Sequence, residues 1–579
     1  MLNIKINDVD VQVKEGTTIL QACEKINIHI PTLCHLDMHS LGFVNSEANC
    51  RVCMVELAHN HKLVPACNTL VKDKMEIRTD TPRVIRTRRT NIELLLSNHP
   101  TDCLVCERNG NCELQDLAVL ANIKDIRFKG ERKIFEPDTS SFSIIRDPNK
   151  CILCKRCETM CTNVQSVGTL TSIDRGFETV VGTQYHKPMI DTNCVFCGQC
   201  LSVCPTGALT EVNNVRKVYK ALNDEEKVVL VQTAPAVRVA LGEEFGMEVG
   251  SVVTGKMVTA LRKIGFDYVF DTDFAADLTT MEEAYEFVDR FKKQENLPIL
   301  TSCCPSWVKF IEHNFPDMLN IPSTCKSPHE MFGSVAKTYF AEKIGVDPRN
   351  IVVVSVMPCV AKKYESARPE LGLTEDISDV DYVISTRELA HMIKEYSLDF
   401  PSLEDSEFDD PLGESSGAGV IFGSSGGVLE AAVRTAYNML TGEDLEQLEF
   451  EELKEMRGIK ESRIEILGKE VKVAVASGLA NARRLLESIR DGKAHYDIIE
   501  IMACPGGCIG GAGQPLLRGN VSKLEKRMNA IHKEDRDKPI RRSYENKSIK
   551  KIYNEYLDAP GSEKAHHLLH TEYSSRAKY

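Results

Sequence analysis

The sequence predicts a multidomain protein of mixed α+β and α/β class, with small cysteine-rich units ahead of one large domain whose parallel sheets are covered by helices. Three observations carry this expectation. The chain is 579 residues long, room for about three to five domains. Sixteen of its 22 cysteines precede residue 215, none falls between 205 and 302, and the other six lie between 303 and 508. Beyond about residue 216, short continuous apolar runs alternate with helical periodicity, the pattern of buried parallel strands and the helices over them.

From the N-terminus, Leu2–Ile6 and Val9–Val13 alternate as two strands of a hairpin across Asn7-Asp8. Thr17 to Ile26 has helical periodicity, with Thr17 or Thr18 as its cap, and this first unit spans 1–79. The second, 80–126, has a helical run from Pro82 to Asn98 and then three closely spaced cysteines. The third, 127–215, holds two matching cysteine groups, an internal repeat. In the large domain, 216–520, Val228–Thr233 and Ile351–Met357 read as buried parallel strands. Met257–Ile264, Met281–Phe291 and Arg387–Tyr396 read as helices, and Asp399 to Gly419, acidic and then Gly/Ser-rich, as a surface loop. The tail, 521–579, is charged: 521–551 reads as mostly solvated helix or linker, and Ser548–Leu557 as a last helix before a His-rich end.

Composition narrows the function classes. With 71 Lys plus Arg against 84 Asp plus Glu, the net charge of −13 argues against nucleic acid or anionic membrane as the main partner. No apolar run approaches the roughly 18 residues of a membrane span. Met1 leads straight into the alternating segment without a basic-then-apolar leader, so the expected compartment is a reducing cytoplasm.

The cysteine spacing carries the chemistry. Two intervening residues are too few for routine disulfides but suit thiolates converging on one metal centre. Cys151-x2-Cys154-x2-Cys157-x3-Cys161 is repeated as Cys194-x2-Cys197-x2-Cys200-x3-Cys204-Pro205. In the two-cluster ferredoxin pattern the fourth cysteine of each run crosses to the other cluster. That assigns Cys151, Cys154, Cys157 and Cys204 to one [4Fe–4S] cluster, and Cys161, Cys194, Cys197 and Cys200 to its partner. Cys34-x15-Cys50-x2-Cys53-x13-Cys67 offers four thiolates for [2Fe–2S], with structural zinc as the alternative. His99-x3-Cys103-x2-Cys106-x5-Cys112 offers three thiolates and an imidazole, again for a cluster or for zinc.

Three separated motifs mark the second half: Thr301-Ser-Cys303-Cys304-Pro305, Met357-Pro-Cys359, and Cys504-Pro-Gly-Gly-Cys508 running on to Pro515. Cys304, Cys359, Cys504 and Cys508 offer four thiolates for one further cubane; as bare cysteines they read equally as redox thiols or small buried hydrophobes. Cys23 and Cys325 read as the latter. Glu283, Glu286 and Arg290 share one helix face, which alone reads as a solvated ion pair. Gly423-Ser-Ser-Gly426-Gly427 lacks the Lys-Ser/Thr of a nucleotide loop.

These motifs resemble the catalytic domain of [FeFe]-hydrogenases, and the upstream cluster order resembles their long clostridial-type members, over essentially the whole chain. The resemblance implies an N-terminal β-grasp, plant-type [2Fe–2S] ferredoxin-like unit, a small helical His/Cys3 [4Fe–4S] unit, a bacterial two-[4Fe–4S] ferredoxin-like unit, the catalytic domain and a small-subunit-like tail. It implies that Cys304, Cys359, Cys504 and Cys508 hold the [4Fe–4S] part of the H-cluster, with Cys508 also bridging to a di-iron site that carries CO, cyanide and azadithiolate. Cys303 is implied as the thiol that passes protons, followed by Glu283, Ser323, Glu286 and Arg290. Ala234, Pro235, Met357, Lys362, Gly423 and Met502 are implied around the di-iron site, Lys362 holding a cyanide.

The implied reaction is 2H+ + 2e− ⇌ H2, with protons and H2 as substrates, reduced ferredoxin as electron donor and dedicated maturation proteins. The same chain could instead serve an NAD(P)-linked, possibly electron-bifurcating, multi-subunit hydrogenase whose flavin and dinucleotide sites lie on other chains. A pure electron-transfer subunit, like the part of respiratory NADH dehydrogenase that the N-terminal third resembles, would not need Cys303 or the three catalytic motifs. An H2-sensing homologue would alter the proton residues, which are all present. Two departures stand out: His329 where close relatives often have Gln, and a Cys34–Cys50 gap a few residues longer than in some relatives.

Overall fold

The computed structural model describes residues 1–445, the backbone of 451 and 452, and residues 458–576. Its first unit is a five-stranded mixed sheet in the order Val9–Val13, Leu2–Ile6, Glu76–Arg78, Met54–Leu57, Lys62–Pro65. Asn7 and Asp8 both take left-handed backbone (φ 47° and 70°), as a two-residue hairpin requires, and this sets Leu2 opposite Val13 and Ile6 opposite Val9. Alternation then buries Ile4, Ile6, Val11 and Val13. The helix over this sheet, Ile19–Glu24, is shorter than the periodic stretch; Thr18, not Thr17, caps it, in a capping box with Gln21. The second helix runs Pro82–Ser97 from a Thr81 cap with proline in its first turn.

The cysteine repeat is also a repeat of backbone shape. Leu153 and Lys155 have φ of 54° and 63°, and their counterparts Phe196 and Gly198 have 54° and 70°. Each left-handed pair folds a loop back around its thiols and opens a four-residue helix, Arg156–Thr159 or Gln199–Ser202. Ile144–Arg146 and Leu209–Glu211 pair antiparallel and close the unit.

Two sheets build the large domain. One is all parallel, in the order Tyr268–Asp271, Val228–Thr233, Ile351–Met357, Tyr382–Ser385. The other runs Ile299–Leu300, Ile498–Met502, Lys469–Ser477, Ile459–Ile466, Glu451–Glu452, parallel for the first three and antiparallel beyond. The catalytic motifs follow strand ends: Cys303 and Cys304 after Leu300, Cys359 after Met357, Cys504 after Met502. Carboxyl ends of parallel strands are where α/β folds open crevices.

Several expectations are corrected. Met281–Phe291 is only part of a 22-residue helix, Thr272–Lys293; its first half is buried on all sides and so shows no polar stripe. Asp399 to Gly419 is a surface loop only in its middle: 401–411 is exposed or half-buried, but the segment is anchored at both ends. Phe400, Leu412 and Ser416 are fully buried, and the Asp409 carboxylate accepts from the Val269 N–H at 2.7 Å. Nor is 521–551 mostly solvated: the helix Ser522–Asp537 buries Leu524, Arg527 and Ile531. Arg527 donates to the carbonyls of Ile509 (2.9 Å) and Pro515 (3.0 Å) and pairs with Glu243 at 2.7 Å. Lys547–Ile552 continues into a π-turn, Tyr553–Leu557, but a further helix, Glu563–Leu569, follows and docks Ala565, Leu568 and Leu569 in the core of the parallel sheet. Among the described residues no helix is long and apolar enough to cross a membrane.

Candidate active site

All four N-terminal candidates, Cys34, Cys50, Cys53 and Cys67, are buried, and the Cys34 N–H donates to Cys50 Sγ at 3.4 Å. Hydrogen bonds shared among the thiols pull Cys34 and Cys53 below the ordinary range and push Cys50 and Cys67 above it, the mark of thiols crowded on one point. His99, Cys103, Cys106 and Cys112 line one cavity. His99 Nδ1 is buried with no hydrogen-bond partner, and burial, helped by Lys150 and Arg132, lowers the imidazole to about 4. A neutral imidazole with an uncommitted nitrogen beside three thiols fits a metal centre.

Cys151, Cys154, Cys157 and Cys204 line a second cavity. Cys161, Cys194, Cys197 and Cys200 form the neighbouring set, close enough that burial and mutual charge raise the Cys197 and Cys200 thiols far above their usual range. The sets abut. Asn45 Nδ2 donates to the carbonyls of both Cys34 (2.6 Å) and Cys154 (3.1 Å). Gly207 lies so near the His99 set that a Cβ there would sit 2.8 Å from Cys106 Sγ. Gln199 Nε2 donates at 3.1 Å to Cys504 Sγ, joining the last accessory set to the catalytic one.

At the strand ends of the large domain, Cys304, Cys359, Cys504 and Cys508 converge. Burial, then the neighbouring Cys359 and Cys304, push both Cys504 and Cys508 upward. Lys362 and the Gln199 amide offset only part of the cost of four buried thiolates, so the donor set fits a cubane sitting among them. The Gly-rich turn allows the close approach this needs: a Cβ at Gly511 would lie 2.2 Å from the Pro358 carbonyl. Met502 packs with Cys303, Cys304 and Cys508, whereas Ala234 and Met357 sit at adjacent strand ends within the core of the parallel sheet. Pro235 is buried beside them, and a Cβ at Gly423 would meet Ile531 at 3.1 Å.

Lys362 Nζ donates to the Cys303 carbonyl (3.0 Å), Ser327 Oγ (2.8 Å) and Glu365 Oε2 (2.6 Å). Burial works against its charge, but Glu365 and Cys303 outweigh it and hold the ammonium above the ordinary lysine value. Glu365 also meets His329 Nε2 at 2.7 Å, so His329 is linked to the Cys303 carbonyl through two intervening residues, Glu365 and Lys362. Spacing gave no sign of Ser327 or Gln199, because each meets its partner through packing; Glu365 stands at i, i+3 from Lys362 on the short helix Lys362–Glu365, a spacing that could have signalled it.

Cys303 leads to a polar file. Burial, then the Glu283 carboxylate, raise the Cys303 thiol well above its usual range. Glu283 is itself buried with neither oxygen hydrogen-bonded, and burial, then Glu286, push it up to about 8. Ser323 Oγ donates to Glu286 Oε2 at 2.8 Å, and Arg290 Nη2 donates to Glu286 Oε1 at 2.6 Å. The file thus runs from a thiol through an uncommitted acid to a half-buried ion pair.

Comparison with known proteins decides the family. The model for the iron only hydrogenase large subunit, C-terminal domain, matches residues 227–512, and that for the iron hydrogenase small subunit matches 521–576. Upstream, a 2Fe-2S iron-sulfur cluster binding domain matches 1–82, the NADH-ubiquinone oxidoreductase-G iron-sulfur binding region 88–127 and a 4Fe-4S dicluster domain 145–208. The chain is 52% identical to NADP-reducing hydrogenase subunit HndD of Solidesulfovibrio fructosivorans, over 100% of both chains. The chain belongs to the [FeFe]-hydrogenase family. It is also 40% identical to iron hydrogenase 1 of Clostridium pasteurianum, over 99% of this chain and 100% of that one. An apo [FeFe]-hydrogenase HydA1 variant from Chlamydomonas reinhardtii superposes with a TM-score of 0.59 at 40% identity, covering 63% of this chain and 99% of that one. As an [FeFe]-hydrogenase the protein is an oxidoreductase of protons and H2 that uses [2Fe–2S] and [4Fe–4S] clusters and the H-cluster.

Proposed function

We propose that Cys303, Glu283, Ser323, Glu286 and Arg290 are the proton route of this hydrogenase, and that Cys304, Cys359, Cys504 and Cys508 hold its H-cluster. The single observation that carries the route is Glu283: a buried acid with no hydrogen-bond partner, between the Cys303 thiol and the Ser323–Glu286 pair. When bound, the H-cluster supplies the redox chemistry that joins electrons and protons. The chain's own residues do the rest. Cys303 presents one S–H; Glu283, raised into the neutral range, both takes and gives a proton there; Ser323 carries it to Glu286; Arg290 holds the Glu286 carboxylate in position at 2.6 Å. All three Lys362 protons are already committed, so a hydrogen bond to a cyanide requires Lys362 to give up one partner, and the Cys303 carbonyl is the longest of the three.

The proposed domains are 1–79, a β-grasp [2Fe–2S] unit; 80–126, the His99 cluster unit; 127–215, the two-cubane unit; 216–520; and the tail 521–579. Cys34, Cys50, Cys53 and Cys67 hold the [2Fe–2S] cluster, His99, Cys103, Cys106 and Cys112 a [4Fe–4S] cluster, and the repeat its two cubanes, in the pairing given above. Electrons enter at the Cys34 or the His99 set, both of which abut the Cys151 set, and leave toward Cys504 past Gln199. Reduced ferredoxin is the proposed donor and the cytoplasm the proposed compartment. The 52% identity to a protein named as an NADP-reducing hydrogenase subunit favours a second reading, in which flavin- and NAD(P)-binding partner subunits feed the same wire. Anaerobic maturation followed by infrared spectroscopy tests the site. Cys303→Ala should keep the CO and cyanide bands while losing most turnover; full turnover would remove Cys303 from the route. Assays with ferredoxin and NAD(P)H, with anaerobic co-purification, separate the electron partners.

A further inference from the structure

The proposed proton route ends, on its outer side, against a buried arrangement that neither the route nor the cluster ligands use. The C-terminal segment runs past Cys325, with the Lys326 N–H on the Leu569 carbonyl (2.8 Å) and the Thr571 N–H on the Thr324 carbonyl (2.7 Å). This docking inserts His570 between two helix carboxylates. His570 Nε2 lies 3.1 Å from Glu282 Oε2, and His570 Nδ1 lies 2.7 Å from Thr324 Oγ1. Thr324 Oγ1 is in turn 3.3 Å from Glu286 Oε1, and the Thr324 N–H also donates to Glu286 at 3.1 Å. Glu282 is fully buried, held by the Tyr553 hydroxyl (2.5 Å) and the Gly561 N–H (2.9 Å).

We propose that the Glu282–His570 pair is a side arm of the proton route that acts on Glu286 through the Thr324 hydroxyl. It rests on the reading of Glu286 as part of that route. The logic is one of hydrogen count. A threonine hydroxyl has one proton to donate. With neutral His570 donating from Nε2 to Glu282, Nδ1 is an acceptor and takes the Thr324 hydroxyl proton, so Glu286 keeps only the Thr324 backbone N–H and gains nothing from the hydroxyl. With His570 protonated, Nδ1 donates to Thr324, whose own proton turns to Glu286 Oε1 and stabilises the carboxylate. His570 therefore sets how readily Glu286 holds or releases a proton, without touching the catalytic thiols. It is a positioning residue supplied by the last few residues of the chain.

The groups facing His570 are few. Glu282, Glu286 and Arg290 come from the Thr272–Lys293 helix, Cys325 from the crossing strand with its Sγ 4.0 Å from Nδ1, and Tyr553 from the π-turn. On its own segment the exposed His566 ring stacks on it at 4.7 Å and places a second imidazole toward solvent. His570 Nε2 pairs with Glu282 at 3.1 Å, while the Arg290 guanidinium is spent on Glu286 at 2.6 Å.

The test is the pH profile of H2 turnover in cluster-loaded, matured protein. Thr324→Val and His570→Asn should each displace one limb of the profile by about one pH unit, with the CO and cyanide infrared bands unchanged. The double variant should move no further than either single one, because both break the same link. Leu568→Ala, which loosens the tail without touching the link, should lower thermal stability and leave the limb in place. Wild-type profiles in both Thr324→Val and His570→Asn would overturn the side arm. Glu286→Gln separates this from failure of the route: full turnover in that variant would remove Glu286 from proton transfer, whereas its loss alongside unmoved limbs would sink the side arm alone.

Discussion

Glu283→Gln should change stability and turnover in opposite directions. Glu283 is buried without a hydrogen-bond partner, and burial raises its pKa from 4.5 to about 8. The folded chain therefore binds a proton there that the unfolded chain has already released. Wild-type stability falls as pH rises from about 4.5 and levels off above about 8. At about 1.4 kcal/mol per pH unit, that rise corresponds to about 5 kcal/mol of stability lost at the alkaline end. Glutamine carries no charge to desolvate, so the variant should escape this loss. Its advantage over the wild type should be nearly absent near pH 4.5, grow through neutrality and be largest above pH 8. Turnover should fall by about 10²-fold or more, since a group that cannot exchange a proton interrupts the file. Thermal melts of matched cluster-loaded proteins across this pH range, with H2 assays on the same samples, measure both. A variant with wild-type turnover, or one whose stability advantage shrinks as pH rises, would refute the reasoning.

Three further outcomes are expected. Gln199→Leu removes the N–H donor to Cys504 Sγ and should lower the potential of the catalytic [4Fe–4S] cluster, since hydrogen bonds to sulfur favour the reduced state; redox-titrated EPR checks this. Gly198→Ala places a Cβ 2.3 Å from Val360 and 2.6 Å from Ala512 at a backbone φ of 70°, and should cost about 1–3 kcal/mol, read as a lower melting temperature together with slower reduction of the catalytic cluster. Arg527→Ala strips two carbonyls of their donor and leaves Glu243 with less positive partner charge; a loss of about 3–5 kcal/mol and earlier proteolysis of the tail are expected in melting and limited-digestion experiments.

Local patterns were legible where the physics is local. Val228–Thr233 and Ile351–Met357 are strands at the bounds read from their apolar runs, and the first hairpin turns at Asn7-Asp8. The misses share a cause. The first half of the Thr272–Lys293 helix is invisible because a helix buried on every side has no polar stripe. Within 399–419 the anchored part was missed because Asp409 and Glu414 were counted as solvated charges, whereas in the fold they accept N–H groups of Val269 and Ser548. Arg527 and Asp535 misled in the same way, since a charge count is blind to pairing across the chain.

Spacing by itself determined the inventory: which thiols belong to which short motif, the duplicated run in the middle, and the family those motifs announce. Such information is local where successive ligands share one loop, as from Cys151 to Cys161; the separated Cys304, Cys359 and Cys504 were joined only by the family resemblance. What only the tertiary structure decided is adjacency. Gln199 reaches Cys504, Ser327 takes the Lys362 ammonium, and the tail brings His570 to Thr324. None of these pairs has a spacing to read, because each forms where sheets and helices from distant stretches of chain pack together, and packing, unlike a loop, carries no fixed count of residues.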